Sequence, residues 1–314
     1  MEKIFKQIKT YNFDLLFFKK IFIVLNIYFF QTMYCQQSVD DDKKTIFDYS
    51  LKKVMKVDGR QGIAASGEYY VVSGSTELFL YNIQGELLNR NNSPFKKLSG
   101  EANHFGDIAI YKDEIYTGVE NFKNGRGENI QIVVYNLADL KFKRSIPWNP
   151  SSGQVEVCGI AVDEKRKLIW LADWVNGKYV YKYDLISGKY AGRLKIDPAP
   201  EKIQGIIVYQ DQIILTSDDG DADENQHDHL YSIDIPGSKN ITESKLVFEK
   251  LLDEFVMAGE VEGLCLSDND KELSILMNRG RRIINGIPME FYPGYDREIH
   301  EVYIYNIERS INAY

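Results

Sequence analysis

Ile132-Val133-Val134-Tyr135-Asn136-Leu137 decides the reading of this chain, because the same phrase returns four more times. It reappears as Leu78-Phe79-Leu80-Tyr81-Asn82-Ile83, Val180-Tyr181-Lys182-Tyr183-Asp184-Leu185, Leu230-Tyr231-Ser232-Ile233-Asp234-Ile235 and Val302-Tyr303-Ile304-Tyr305-Asn306-Ile307. Each copy is an apolar run, an aromatic or aliphatic residue, Asn or Asp, then an aliphatic. β-Branched and aromatic residues dominate, which is strand composition. Self-similar strands at a period of about fifty residues point to a radial β array.

The residues around each phrase keep one order. An opening strand carries a glycine, at Gly62, Gly106, Gly159, Gly205 and Gly263. A second strand follows a polar turn, the quoted phrase is the third, and a shorter, more polar fourth follows. That order is a four-stranded antiparallel meander, one propeller blade. The fifth copy lacks its fourth strand, since the sequence stops 8 residues after Asn306. Thr45-Ile46-Phe47-Asp48-Tyr49-Ser50-Leu51 is a strand pattern with no blade of its own. Pairing the two closes the ring and removes an open edge. The expectation is an all-β, five-bladed β-propeller closed by an N-terminal strand, with six blades as the alternative. It occupies residues 43–314 as a single domain. The glycines are read as packing residues where innermost strands converge.

Composition narrows the function. The 314 residues are 44% apolar, enough for a large core. The 46 acidic against 38 basic residues leave a net charge of −8, and the body has no long basic tract. A nucleic-acid partner is disfavoured, because phosphate binding needs a basic stripe. An acidic balance suits a soluble protein that binds a cation. Lys6, Lys9, Lys19 and Lys20 precede the ten-residue apolar run Ile21 to Phe30. That is the length of a signal-peptide core, whereas a bilayer span takes about twenty residues. Residues 1–37 are therefore read as a signal peptide or N-terminal membrane-targeting segment, with cleavage between Cys35 and Ser38. Export follows (periplasmic, secreted or cell-surface), with no membrane span in the mature chain. A lipid anchor on Cys35 is the lesser reading, because Tyr34 precedes it. Cys158 and Cys265 read as small buried hydrophobes.

Topology points to one face. In an up-and-down blade, the start of the first strand lies beside the connection between strands two and three. Gln61, His104, Glu156, Gln204, Glu260 and Glu262 then ring the axial mouth, with Asp107 close by. Over them stand the long connections Glu120 to Asn129, Asp173 to Gly177, Asp218 to Asp228 and Asn278 to His300. Long connections gathered at one end of a scaffold are where binding concentrates. His104 and Glu156 are the candidate catalytic residues, as proton carriers. Gln61, Gln204, Glu262, Trp174, Asn278 and Arg279 are the candidate ligand-binding residues. Arg279, Arg281 and Arg282 suit a carboxylate or phosphate, or pair with nearby acids.

Two places suit Ca²⁺. Asp219, Asp221 and Asp223 alternate in the way a tight loop turns carboxylates toward a hard cation. The EF-hand continuation is missing, since Glu224 stands where the glycine belongs and Leu230 where the closing acid belongs. A solvated acidic loop is the competing reading. In the channel, Asp107, Glu156 and Glu262 with Gln61 and Gln204 form a second oxygen donor set. The sequence has no Gly-rich phosphate loop, no Gly-x-Ser-x-Gly elbow and no Cys-x-x-Cys pair.

Gly-Ile-Ala-Val-Asp at 159–163, Leu-Ile-Trp-Leu-Ala-Asp-Trp at 168–174 and Glu-Val-Glu-Gly-Leu at 260–264 resemble secreted bacterial β-propellers of the gluconolactonase-like and NHL-like group. The resemblance runs over roughly residues 45 to 310 and is one of blade grammar. It implies a metal site of Glu, Asn and Asp, for which Glu262 or Glu156, Asn278 and Asp218 are the matching types. More faintly, Gln61-Gly62 and Glu262-Gly263 are similar to five-bladed glutamine cyclotransferases, whose Trp-bearing signature between blades is missing. The functional expectation is an exported, monomeric propeller that binds a small polar ligand, glycan or protein at its axial mouth, with Ca²⁺ as candidate ion. The alternative is a metal-assisted hydrolase or lyase, lactonase-like or cyclotransferase-like, using channel carboxylates.

Overall fold

The computed structural model describes residues 45–310 apart from 239, 257, 268 and 285. The segment read as a signal peptide lies outside the described residues. The described residues form five four-stranded antiparallel units. Blade one runs Gly62–Ser66, Tyr69–Ser73, Leu78–Asn82 and Leu87–Asn91. Blade two runs His104–Tyr111, Glu114–Lys123, Arg126–Asn136 and Phe142–Pro147. Blade three runs Gly159–Asp163, Leu168–Ala172, Tyr179–Asp184 and Tyr190–Asp197. Blade four runs Ile203–Tyr209, Gln212–Ser217, His229–Asp234 and Glu243–Leu251. Blade five runs Gly259–Leu266, Glu272–Arg279 and Ile299–Arg309, and its fourth strand is Phe47–Val57 from the N-terminal side.

The expected closure is present in register. Phe47 pairs with Arg309 and Val57 with His300, antiparallel, with one irregularity between Leu51 and Lys53. Blade four holds the start of this strand, because Glu249 Oε2 accepts the N–H groups of Ile46 and Phe47, each at 3.1 Å. Along the rim, the outer strands of blades three and four pair in parallel from Lys195 to Asp197. Each innermost strand touches the next, and the fifth returns to the first.

The repeated phrase has a physical reason. Its residues alternate between two neighbours: Leu80 packs toward blade two and Tyr81 toward blade five. Both faces are buried, so the run is apolar throughout. Every core is shared by two adjacent blades. A fully buried Ile or Leu contributes about 1.5–3 kcal/mol, against about 0.5–1.5 kcal/mol net for a hydrogen bond. Packing between blades therefore outweighs any single polar tether.

The phrase's tyrosine adds such a tether. Tyr81 Oη accepts the Asp58 N–H at 2.9 Å, and Tyr183 Oη accepts the Asn149 N–H at 3.2 Å. Tyr135 donates to the Pro94 carbonyl at 3.3 Å and Tyr305 to Glu254 Oε2 at 3.1 Å. Each hydroxyl thus ties down the segment that leads into its own blade. Blade four carries Ile233 there, which has no hydroxyl. The Asn or Asp that follows serves the next turn: Asn82, Asn136 and Asp184 accept N–H groups of Gln84, Ala138 and Ser187.

Cys158 and Cys265 are buried and take part in no disulfide, as expected of small buried hydrophobes. No helix among the described residues is long and apolar enough to cross a membrane.

Candidate functional site: the axial mouth

Where the innermost strands begin, the ring leaves a cavity of about 280 Å³. Gln61, His104, Asp107, Glu156, Gln204, Glu260 and Glu262 all line it, so the expected ring of polar strand openings is brought together. Trp174 lines it as well.

Asp107 forms the floor. A Cβ on Gly62 would stand 2.7 Å from its Oδ1, and a Cβ on Gly205 2.9 Å from its Oδ2. The carboxyl therefore lies across the axis, where only glycine leaves room. Its Oδ1 accepts the N–H groups of Ile108 at 2.8 Å and Ile63 at 3.3 Å, while Oδ2 has no hydrogen-bond partner. Burial pushes its pKa well above the usual carboxylate range, and N–H groups including those of Ile108 and Ile63 act against that.

Blade five supplies one acidic wall. Glu262 Oε1 accepts Asn278 Nδ2 at 2.6 Å and Gln61 Nε2 at 3.5 Å. Asn278 does not line the cavity; it steadies Glu262 and meets His300 Nδ1 through its Oδ1 at 2.7 Å. Burial, then the nearby Glu260, raise the Glu262 pKa well above its ordinary value. Arg60 closes this side, 3.2 Å from Glu260 Oε1 and 3.4 Å from Glu298 Oε2. Burial works against its charge, but Glu260, Glu262 and Glu298 outweigh that and hold its pKa above normal.

Blade three supplies the other. Glu156 Oε2 accepts the Trp174 N–H at 2.6 Å. Burial, then Glu120 and Asp173, raise its pKa well above the ordinary range. Glu120 Oε2 accepts the Val157 N–H at 3.0 Å, and Asp173 Oδ2 the Tyr181 hydroxyl at 2.9 Å. Glu120 Oε1 and Asp173 Oδ1 are buried without a partner. Desolvation pushes Glu120 up to about 8 and Asp173 to about 7. Sequence reading missed both acids and Arg60.

His104 is lowered to about 4 by burial and then by the Arg60 charge, so its ring is neutral near pH 7. Among the described residues, no hydrogen bond reaches the His104 ring or the Gln204 amide, and both face the cavity.

The roof is aromatic and apolar. Two segments expected as loops are β-ribbons. The second and third strands of blade two extend to Lys123 and from Arg126. The blade-five connection folds into a hairpin of Arg281–Ile284 and Ile287–Phe291. The signal was in the sequence: Asn124-Gly125 and Asn285-Gly286 are hairpin-turn pairs, and Asn124 and Gly125 take φ of 54° and 74°. Phe122 on the first ribbon lies 5.8 Å from the His104 ring and 6.4 Å, edge to face, from Trp174. Ile283, Gly286 and Pro288 of the hairpin cover the space.

Other expected residues go elsewhere. Arg279 stays out of the cavity, because Glu301 pairs with its Nε at 3.0 Å and Nη2 at 3.1 Å, and the Tyr295 hydroxyl takes Nη1. Arg281 pairs with Glu298, and Arg282 with Asp223 and Glu290. The acidic loop does not gather around a point. Asp219 meets His229 Nδ1 at 2.8 Å and the Tyr231 hydroxyl at 2.6 Å, Asp221 accepts the Asp223 N–H, and Asp223 faces Arg282. Local partners have claimed each carboxylate, and short spacing alone does not make them converge. Among the described residues, no three of His, Cys, Asp and Glu form a metal-holding group, in this loop or in the channel.

No protein-family model matches the sequence, and no curated protein matches it. One solved structure to which the chain is similar is a crystal structure of a mitotic checkpoint complex, at 12% identity and a TM-score of 0.39. The match covers 68% of this chain and 59% of that one, less than two thirds of its length. By the order of its strands and the closed run of its innermost ones, the chain is a β-propeller.

Proposed function

We propose that this propeller is a binding protein that takes one small polar ligand into its axial mouth. The observation that carries the reading is the pair of polar groups without protein partners, the His104 ring and the Gln204 amide, facing a cavity with an apolar roof. Both side chains are half-buried, and polar groups left without a protein partner where they line a cavity mark where a ligand can complete the set. At about 280 Å³ the space suits a compact molecule rather than a polymer held end to end. In this reading Gln61, Glu156 and Glu262 orient the ligand, and Trp174 and Phe122 flank it. Export, expected from the apolar run at 21–30, would present the mouth to solutes outside the cell.

The test is a thermal-shift panel of sugars, amino acids, organic acids and amines on the whole chain. One class is expected to raise the melting temperature in a saturable way. The shift should shrink in Gln204→Ala and Trp174→Ala. A panel with no shift, or shifts indifferent to both variants, would remove the mouth as a binding site.

A further inference from the structure

We infer that the ligand of this mouth is an organic ammonium ion, its charged head set against Glu156 and Asp107 and its apolar body between Trp174 and Phe122. The inference rests on the binding reading above and names the ligand's chemical class.

Charge comes first. The cavity presents Asp107, Glu156, Glu260 and Glu262, against Arg60 as its one strong cation. Arg60 is already held between Glu260 and Glu298, at 3.2 and 3.4 Å. Among the described residues, no lysine or arginine lies within ion-pair distance of Glu156 or Asp107. Behind Glu156 stand two more buried carboxyls, Glu120 and Asp173, each with one oxygen lacking a partner. An anionic ligand would add a like charge to this wall. A neutral one would leave these carboxyls in the protonated form that burial favours. A cation supplies the counter-charge that lets them ionise, since buried charges persist only when paired.

Shape and polarity agree independently. Trp174 and Phe122 stand edge to face at 6.4 Å beside the acidic wall, and Ile283 and Pro288 close the outer side. Aromatic faces attract a desolvated cation, most strongly the indole. The polar end of the cavity is deep and the apolar end is outermost. An amine on a short apolar or aromatic body matches that gradient from head to tail. A polyol, polar all round, matches only the floor.

The experiment is calorimetric titration of the whole chain with benzylamine, benzyl alcohol, benzoate and glucose. Benzylamine is expected to bind and the other three to bind at least about tenfold more weakly, the scale of a charge-assisted contact. Glu156→Gln should weaken benzylamine by about tenfold or more. Trp174→Ala, at a half-buried position that remains usable if Glu156→Gln fails to fold, should weaken it roughly two- to tenfold. If benzyl alcohol, benzoate or glucose binds as well as benzylamine and depends on Trp174, the ammonium assignment is overturned while the mouth remains a binding site. If benzylamine binding ignores both variants, or benzylamine does not bind, the ammonium assignment is overturned, and the thermal-shift panel then decides whether the mouth binds another class.

Discussion

Glu156 Oε2 holds the backbone N–H of Trp174 at 2.6 Å, so one carboxyl sets both the charge of the wall and the position of the aromatic beside it. Replacing Glu156 with Leu removes that acceptor and leaves a half-buried N–H unpaired. The expected loss is about 1–3 kcal/mol in urea unfolding, with Glu156→Gln losing far less because its amide oxygen still accepts. Equal losses for the two variants would show that the hydrogen bond does not matter.

The three carboxyls on this side give the fold an upper pH limit. Desolvation lifts Glu120 to about 8 and Asp173 to about 7, well above an unfolded carboxyl near 4. The folded chain therefore binds more protons. Its advantage is complete below the unfolded value and is lost as pH rises through 7 to 8. The melting temperature should fall between pH 6 and pH 9, and Glu120→Gln should flatten that fall. A profile identical in parent and variant would rule out this source.

Tyr135→Phe and Tyr183→Phe keep the ring in its interblade core and delete one hydroxyl tether each. Each should cost about 1 kcal/mol by denaturant titration. Blade four, which has Ile233 in place of the tyrosine, should open first in hydrogen exchange. Faster exchange in blade two or three of the parent would contradict this.

Asp219 makes its contribution through His229 and Tyr231. The hydrogen bond that His229 donates to the Asp219 carboxylate raises the His229 pKa. That stability is fully present below the unfolded histidine value near 6.5 and disappears as pH climbs through the raised folded value. Asp219→Asn should therefore destabilise more at pH 5.5 than at pH 8.5, by about 0.5–1 kcal/mol after allowance for partial exposure. Millimolar calcium should shift parent and variant alike. A calcium shift confined to the parent would restore the loop as a metal site.

Gly263→Ala would set a Cβ 2.7 Å from the Gly62 Cα at the axis. Since two backbones cannot swing aside as a flexible side chain would, about 1–3 kcal/mol of overpacking is expected in the melting curve. Gly237→Ala, where nothing lies within 4 Å, should be close to neutral.

The sequence revealed what repetition or strand order controls. The Tyr-Asn phrase, the glycine-bearing first strands and the spare strand at Thr45 were all legible, because each is a local pattern repeated by topology. So was the ring from Gln61 to Glu262, since strand openings share one end of every blade. Glu120, Asp173 and Arg60 were not. Glu120 looks like a loop start, and its burial depends on the Asn124-Gly125 turn extending its strand into a ribbon. Asp173 and Arg60 acquire meaning only from neighbours on other segments. Arg279 and the Asp219 loop illustrate the converse: residue type suits a ligand, but in the fold nearer side chains pair with them.

Phe47–Val57 completing the blade of Ile299–Arg309 has a consequence for biogenesis. The earliest-made strand of the wheel has no mate until the latest-made one appears, so the ring cannot finish progressively as the polypeptide emerges. A nascent chain halted before residue 299 should stay protease-sensitive at its leading strand. Joining Ile46 to Ser310, whose backbones hydrogen-bond at 3.0 Å, with a short linker, and cutting instead in a rim turn between blades, should yield a protein that closes sooner.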